Sequence, residues 1–155
     1  MSKLIYGKRI GTGAPLLVGS SAQITDPTGK KILLTKRGDN GRWCLPGGQL
    51  DSGESAAETC AREVLEETGL EVDVGRLIAV YTSPDMLLSY DEDHQYQVIS
   101  FHFAAAITGG QLGLSNETTD VGYFSREEIQ DMDVMEHHLQ RIDDGLLGQN
   151  ETIVR

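Results

Sequence analysis

The chain has few cysteines, few basic residues and no long apolar run. Its two cysteines, Cys44 and Cys60, are too few for a disulfide scaffold and lack metal-ligand spacing, so we expect free thiols in a reducing compartment. No stretch approaches the ~20 apolar residues of a membrane span, and the first residues lack the apolar core of a signal peptide. These absences predict a cytoplasmic protein without a membrane partner.

The shortage of basic residues limits the expected partners. Lys and Arg number 13 against 24 Asp and Glu, which gives a net charge of −11. Nucleic acid polymers bind basic surfaces, so none is expected here. Small phosphorylated substrates fit, because a bound divalent cation can reverse the local charge. The length of 155 residues predicts one domain over residues 1–155.

Turn signals and alternating patterns outline the secondary structure. Asp26-Pro27-Thr28-Gly29 separates two apolar segments, 16–25 and 31–36, and predicts a hairpin. Further strands are predicted near 78–81, 96–107 and 121–124, and the polar segment 84–94 predicts a loop. Helices are predicted near 126–132 and 136–146, the second carrying His137 and His138 on the protein surface. The mixture favours an α+β fold in which helices pack on a mixed sheet.

The segment between residues 55 and 69 is the best-marked helix. Ser55 and Glu58 have the spacing of a capping box, and Gly69 is a suitable residue to end the helix. Residues at intervals of three and four form a core-facing stripe: Ala57, Cys60, Ala61, Val64 and Thr68.

Three glutamates lie on a separate arc of the same helix. Glu63, Glu66 and Glu67 are three and four residues apart, so their side chains share one face. Three like charges on one face repel each other unless a cation lies among them. Carboxylate oxygens suit Mg²⁺ or Mn²⁺. The cluster therefore predicts metal-assisted chemistry on a phosphate-bearing substrate.

The surrounding residues extend this helix into a longer motif. Residues 48–70 resemble the Nudix box, and each of its defined positions is filled: Gly48, Glu54, Arg62-Glu63-Val64, Glu66-Glu67 and Gly69-Leu70. The residues that lead into this motif, Trp43-x-Leu45-Pro46-Gly47-Gly48, are similar to those that usually lead into a Nudix box. The resemblance implies an α/β/α sandwich with a mixed β-sheet. It also implies metal-dependent hydrolysis of a nucleoside diphosphate linked to another moiety, in the class of ADP-ribose, nucleotide sugars or nucleoside triphosphates.

The resemblance also implies roles for individual residues. Glu63, Glu66 and Glu67 would hold Mg²⁺, or Mn²⁺ in its place, with the backbone carbonyl of Gly47 as a further ligand. Arg62 would orient a catalytic glutamate through an ion pair. The number of metal ions stays open.

The general base has several candidates. Glu63 or Glu66 could accept the proton of the attacking water. Many family members instead use an acidic residue from a downstream loop. Glu117 is the first such candidate here, Asp120 the second and Glu92 the third.

Substrate contacts are less sharply marked. Arg37 and Arg42 flank the approach to the motif and are candidates for phosphate binding, and Gly48 leaves room for a ligand to reach the backbone. The sequence leaves open the substrate, the phosphorus that is attacked, and the choice between a monomer and a homodimer.

Two alternatives use the same scaffold. One is a catalytically weak or inactive nucleotide-binding or regulatory protein, and the other is an isomerase. The intact glutamates favour the hydrolase over both.

Overall fold

Residues 2–155 of the computed structural model form ten strands and three helices. The strands are β1 (Lys3–Tyr6), β2 (Leu16–Gln23), β3 (Lys31–Arg37), β4 (Trp43–Cys44), β5 (Gly47–Gln49), β6 (Leu70–Tyr81), β7 (Met86–Ser89), β8 (Gln95–Gly110), β9 (Thr118–Ser125) and β10 (Ile153–Val154). The helices are α1 (Ala56–Thr68), α2 (Arg126–Gln130) and α3 (Glu136–Leu146). Within residues 2–155, no helix combines the length and the apolar composition that crossing a membrane requires.

The larger sheet has seven strands and is organised around β8. β2 runs parallel to β8, while β6 runs antiparallel to it along the opposite edge. β5 pairs antiparallel with β2, which places Gly47 opposite Ser21 and Gly48 opposite Ser20. The predicted mixed sheet is confirmed, and its β5 edge lies against α1.

The smaller sheet is buried on both faces. Its central strand, β3, lies between β4 and β9. Successive side chains of a strand point to opposite faces, so Leu33 packs into the cluster beneath α1. Ile32 and Leu34 instead pack into the cluster beneath α2 and α3. Helices therefore cover both sides of the sheets, and the expected α/β/α sandwich is confirmed.

Helix α1 has the boundaries that its local sequence predicts. Both hydrogen bonds of the Ser55–Glu58 capping box are present. Gly69 ends the helix in the left-handed conformation, with φ 75°. Cys60 and Val64 of the predicted stripe are fully buried in the core. This packing fixes the direction in which the glutamate face points.

The predicted hairpin is wrong beyond its turn. Asp26 to Gly29 do form a turn, with Gly29 at φ 72°. However, the two flanking strands enter different sheets and are joined only by an isolated bridge between Thr25 and Ile32. β2 pairs instead with β5 and β8, and β3 pairs with β4 and β9.

Two further local predictions are wrong. The predicted loop 84–94 contains β7, which pairs with β1 and β8. His138 is buried rather than on the surface, and its Nδ1 accepts a hydrogen bond from the Leu45 N–H at 3.1 Å. The ring of His137 packs edge-on against it, with centroids 4.3 Å apart.

Candidate active site

The glycine pair of β5 lies against the acidic face of α1. A Cβ atom at Gly48 would overlap the Glu63 carboxylate, and one at Gly47 would overlap the Ser20 backbone. The Gly47 N–H donates to Glu67 Oε2 at 3.3 Å. The absence of side chains at both positions therefore lets the helix carboxylates reach the strand backbone.

Arg62 holds this acidic face together. Its guanidinium forms a bidentate pair with Glu54, with Nη2 2.9 Å from Oε2. Nη1 donates to Glu63 Oε1 at 3.0 Å and to Glu66 Oε2 at 3.1 Å. Nη2 also donates to the Gln49 carbonyl at 3.0 Å. Arg62 thus links the helix glutamates, the preceding loop and the end of β5, and its hydrogen bonds lower the pKa of Glu54 to about 2.

Two of the glutamates are partly desolvated. Burial is the main cause that raises the pKa of Glu67 to about 8, and the negative charges of Glu63 and Glu117 contribute. Burial also raises the pKa of Glu63, although Arg62 opposes that shift. An adjacent positive charge favours the ionised form of a carboxyl group. A cation bound here would therefore stabilise both groups in their charged state.

The carboxylate oxygens of the α1 glutamates suit a hard divalent cation, but in this structure they do not converge on one position. Glu63, Glu66 and Glu67 offer the carboxylate oxygens that Mg²⁺ prefers. Within residues 2–155, no three potential ligands converge closely enough to form a complete metal site. Arg62 holds Glu63 and Glu66, while Glu67 turns to Gly47. Rotation of these side chains would be needed to bring their oxygens onto one ion.

The loop between β8 and β9 brings a fourth carboxylate to α1. Glu117 lines a cavity together with Glu66 and Glu67. The loop is anchored by the Gly38 N–H, which donates to the Glu117 carbonyl at 2.9 Å, and by Thr118 Oγ1, which lies 3.4 Å from the Glu67 carbonyl. The structure thus joins Glu117 to the glutamates of the motif.

The other two loop candidates lie elsewhere. Asp120 is within β9, opposite Lys36. Glu92 is exposed in the loop between β7 and β8. Neither residue lines the cavity that contains Glu66 and Glu67.

The two predicted phosphate-binding arginines have different surroundings. Arg37 lines a cavity with Glu67 and Glu117, and its guanidinium pairs with Asp39 at 2.8 Å. Arg42 pairs with Asp133 at 2.8 Å and Glu136 at 2.9 Å, which ties the loop before β4 to the start of α3. The structure therefore brings Arg37, but not Arg42, together with the glutamates.

A cleft that the sequence did not reveal runs from the glycine pair to α3. One cavity is lined by residues that include Gly47, Gly48 and Arg37. An adjoining cavity of about 290 Å³ is lined by residues that include Tyr6, Tyr81 and Met86. Three residues line both cavities: Val98, His137 and Arg141. No local pattern marks Arg141, because its surroundings come from strands distant in sequence.

Comparisons with known proteins agree with this geometry. A family model described as the NUDIX domain matches residues 15–144. An ADP-ribose pyrophosphatase from Methanocaldococcus jannaschii is 39% identical over 64% of this chain and 57% of the relative. A putative 8-oxo-dGTP diphosphatase from Bacillus subtilis is 45% identical over 53% of this chain and 48% of the relative. The match thus spans about half the length of each of these two proteins.

The fold has a similar counterpart among solved structures. A NUDIX hydrolase from Nitrosomonas europaea superimposes with a TM-score of 0.71 at 26% identity, covering 88% of this chain and 91% of that one.

Proposed function

Because this chain belongs to the NUDIX domain family, we propose that it hydrolyses the phosphoanhydride bond of a nucleoside diphosphate linked to another group, using a divalent metal such as Mg²⁺ or Mn²⁺. The observation that carries the proposal is the approach of Glu63 and Glu67 to the β5 glycine pair, with Glu117 lining one cavity together with Glu66 and Glu67. The names of the two relatives add support, since both refer to nucleotide pyrophosphate chemistry.

Each residue of the site has a role in this proposal. Glu63, Glu66, Glu67 and the Gly47 carbonyl would hold the metal. When bound, Mg²⁺ would neutralise the negative charge of the diphosphate and polarise its phosphorus–oxygen bonds. Arg62 positions the glutamates through its ion pairs.

The reaction follows from the remaining groups. The oxygen of a water molecule attacks one phosphorus atom while Glu117 accepts a proton from that water. The bridging P–O bond breaks, and the other phosphate group of the diphosphate leaves as an anion. Arg37, which lines the cavity with Glu67 and Glu117, contacts the phosphate oxygens. Arg42 has no part in this scheme, because it pairs with Asp133 and Glu136 and does not line the cavity that contains Glu67 and Glu117.

An activity screen tests the proposal. The full chain is incubated with Mg²⁺ and with ADP-ribose, nucleotide sugars and nucleoside triphosphates, and the products are identified. We expect two phosphate-containing products from at least one substrate, and loss of turnover in Glu66→Gln. Saturable nucleotide binding without turnover of any compound would instead support the inactive binding protein.

Arg62→Lys is expected to lower kcat roughly 10-fold. Lysine keeps the positive charge but lacks the planar fork that bridges Glu54, Glu63 and Glu66. Steady-state kinetics with a matched Arg126→Lys control, at a surface pair on α2, would measure the effect. Equal kcat values for the two variants would show that the bridging geometry has no role.

Alanine at the two glycines is expected to have separable effects. Gly48→Ala places a methyl group against the Glu63 carboxylate, which can rotate away, so the protein folds but kcat falls roughly 10-fold. Gly47→Ala meets the Ser20 backbone, which cannot yield in this way, so unfolding free energy falls by about 1–3 kcal/mol. Urea unfolding and kinetics of both variants provide the comparison. The placement is wrong if Gly48→Ala leaves kcat unchanged.

A further inference from the structure

Arg141 of α3 is a buried cation without a carboxylate partner within residues 2–155. It is 6% exposed, and its guanidinium lies 5.4 Å from the centre of the Tyr81 ring. Burial lowers its pKa to about 10, so the group stays charged at neutral pH. Asp144, three residues further along α3, instead accepts hydrogen bonds from the Tyr81 hydroxyl at 2.7 Å and from Arg155 Nη2 at 2.8 Å. A buried charge is costly unless it is paired, so the surroundings of Arg141 favour an anionic ligand.

A chain of uncharged groups anchors one edge of the guanidinium. Gln23 Nε2 donates to the Ile142 carbonyl at 3.3 Å, and Gln23 Oε1 accepts from His102 Nε2 at 2.9 Å. His102 Nδ1 therefore carries no proton and accepts from Ser21 Oγ at 2.8 Å. The Ser21 oxygen in turn accepts from Arg141 Nη1 at 3.4 Å. Every proton in this chain has an acceptor, and no member of the chain supplies a negative charge.

The Nη2 atom of Arg141 is the part of the guanidinium that a ligand can reach. Nε is buried and has no hydrogen-bond partner within residues 2–155. Nη2 has no partner there either, but it is not closed off from solvent as Nε is. Arg141 also lines both adjoining cavities of the cleft that begins at the glycine pair. Nη2 therefore remains as a donor for a group that enters this cleft.

The cavity between the glycine pair and α3 is small and lacks acidic side chains. Within residues 2–155, none of its lining residues is Asp or Glu, although the chain has 24 of them. Its other basic residues carry little free charge, because Asp39 balances Arg37, and burial lowers the pKa of His137 and of His138. The cavity volume is about 100 Å³, whereas pockets for drug-sized ligands span roughly 300–1,000 Å³. A small anion therefore fits this cavity better than a nucleoside.

We propose that this cavity is a phosphate subsite, in which Arg141 Nη2 donates a charge-assisted hydrogen bond to a phosphate oxygen. Phosphate is the anion expected at this place, because the cavity begins at the glycines that contact the α1 glutamates. In that respect the inference rests on the proposed function. The group has two sources: a further phosphate of the substrate, beside the diphosphate at the glutamates, or free inorganic phosphate.

Binding of inorganic phosphate in EDTA tests the subsite without metal and without turnover. The α1 glutamates offer phosphate no cation under these conditions, so binding depends on a basic site. Isothermal titration calorimetry on the full chain at pH 7, in a sodium chloride buffer, is expected to show saturable binding of phosphate. We expect a Kd of about 1 mM or below. The absence of saturable binding to the wild-type protein would overturn the inference.

Arginine variants show whether the phosphate binds at Arg141. Arg141→Met is expected to weaken phosphate binding by roughly 10-fold or more. Arg126→Met, which removes a surface arginine paired with Asp143, is the matched control and is expected to keep the wild-type affinity. Equal phosphate affinities of Arg141→Met and the wild-type protein would place the anion elsewhere and overturn the inference.

Filling the cavity tests the same site while Arg141 stays in place. Leu17 lines the cavity, whereas its neighbour Leu16 is 61% exposed on the other face of β2. Leu17→Trp is expected to weaken phosphate binding roughly 10-fold because the larger side chain occupies the cavity. Leu16→Trp is the matched control and is expected to bind phosphate as the wild-type protein does. Wild-type affinity in a folded Leu17→Trp protein would show that phosphate binds outside this cavity, against the proposal.

Kinetics distinguish the two sources of the phosphate group. If the substrate supplies it, Arg141→Met raises KM roughly 10-fold for nucleoside triphosphates. The KM for ADP-ribose, whose two phosphates both lie at the glutamates, then changes by less than roughly 2-fold. Unchanged KM values for both substrates, with phosphate binding that still depends on Arg141, would assign the subsite to free phosphate. Either result supports the subsite.

The two proposals fail in different ways. Phosphate binding that depends on Arg141, without hydrolysis of any phosphoanhydride, would refute the proposed enzyme and leave the subsite intact. Hydrolysis without phosphate binding that depends on Arg141 would refute the subsite and leave the enzyme intact.

Discussion

Glu67→Gln is expected to lower kcat by roughly 10³-fold while the protein stays folded. Glutamine preserves the size of the side chain but removes the negative charge that the proposed metal site requires. Glu67 is the helix glutamate that contacts the β5 backbone directly, through the Gly47 N–H. Its loss therefore affects the centre of the site rather than its edge.

In the absence of metal, the same substitution is expected to stabilise the folded protein. The pKa of Glu67 is about 8 in the folded protein, mainly because of burial, and about 4.3 in an unfolded chain. The folded state thus holds the proton more tightly, and its stability decreases as pH rises from about 4.3 to 8. At pH 9 in EDTA, we expect Glu67→Gln to raise the unfolding free energy by on the order of 2–4 kcal/mol.

Glu127→Gln provides the control for both measurements. Glu127 is exposed on α2, outside the site. We expect wild-type turnover and wild-type pH dependence of unfolding in this variant. A Glu67→Gln protein that keeps its turnover, or that is no more stable than Glu127→Gln at pH 9, would contradict the assigned environment.

Glu117→Gln is expected to lower kcat by roughly 10²-fold with little change in KM. The carboxylate is proposed to accept the proton of the attacking water, and glutamine cannot do so. The β8–β9 loop is fixed at this point by the backbone hydrogen bond from Gly38, which the substitution leaves in place. Steady-state kinetics of Glu117→Gln beside the wild-type protein would measure the change in kcat and in KM.

Asp120→Asn distinguishes between the loop acids. Asp120 is exposed and belongs to β9, so we expect kcat to stay within roughly 2-fold of wild type. A large loss of kcat in Asp120→Asn and none in Glu117→Gln would show that Asp120, rather than Glu117, accepts the proton. No loss in either variant would point to Glu63 or Glu66 instead.

Local sequence was sufficient to predict the bounds and the buried face of α1. It was insufficient to predict which strands pair with β2 and β3. The start, end and buried face of α1 depend on contacts within one or two helical turns, such as those of Ser55 with Glu58 and of Gly69 with Leu65. A turn between two strands constrains only the chain reversal. Which strands then pair depends on elements distant in sequence: β2 pairs with β5 and β8, and β3 pairs with β4 and β9.

The candidate site likewise has features that local sequence determines and features that depend on tertiary structure. The sequence by itself determined the spacing of Glu63, Glu66 and Glu67, because helical periodicity alone places them on one face. Tertiary structure decided that Glu117 rather than Asp120 lines the cavity beside these glutamates, and that Arg37 rather than Arg42 lies near them.

It also decided that, within residues 2–155, Arg141 has no carboxylate partner, since Asp144 pairs with Tyr81 and with Arg155. The first of these pairings joins residues 63 positions apart, and the second joins residues 11 positions apart. Charge and burial at these positions therefore follow from packing between elements, and no short sequence pattern encodes them.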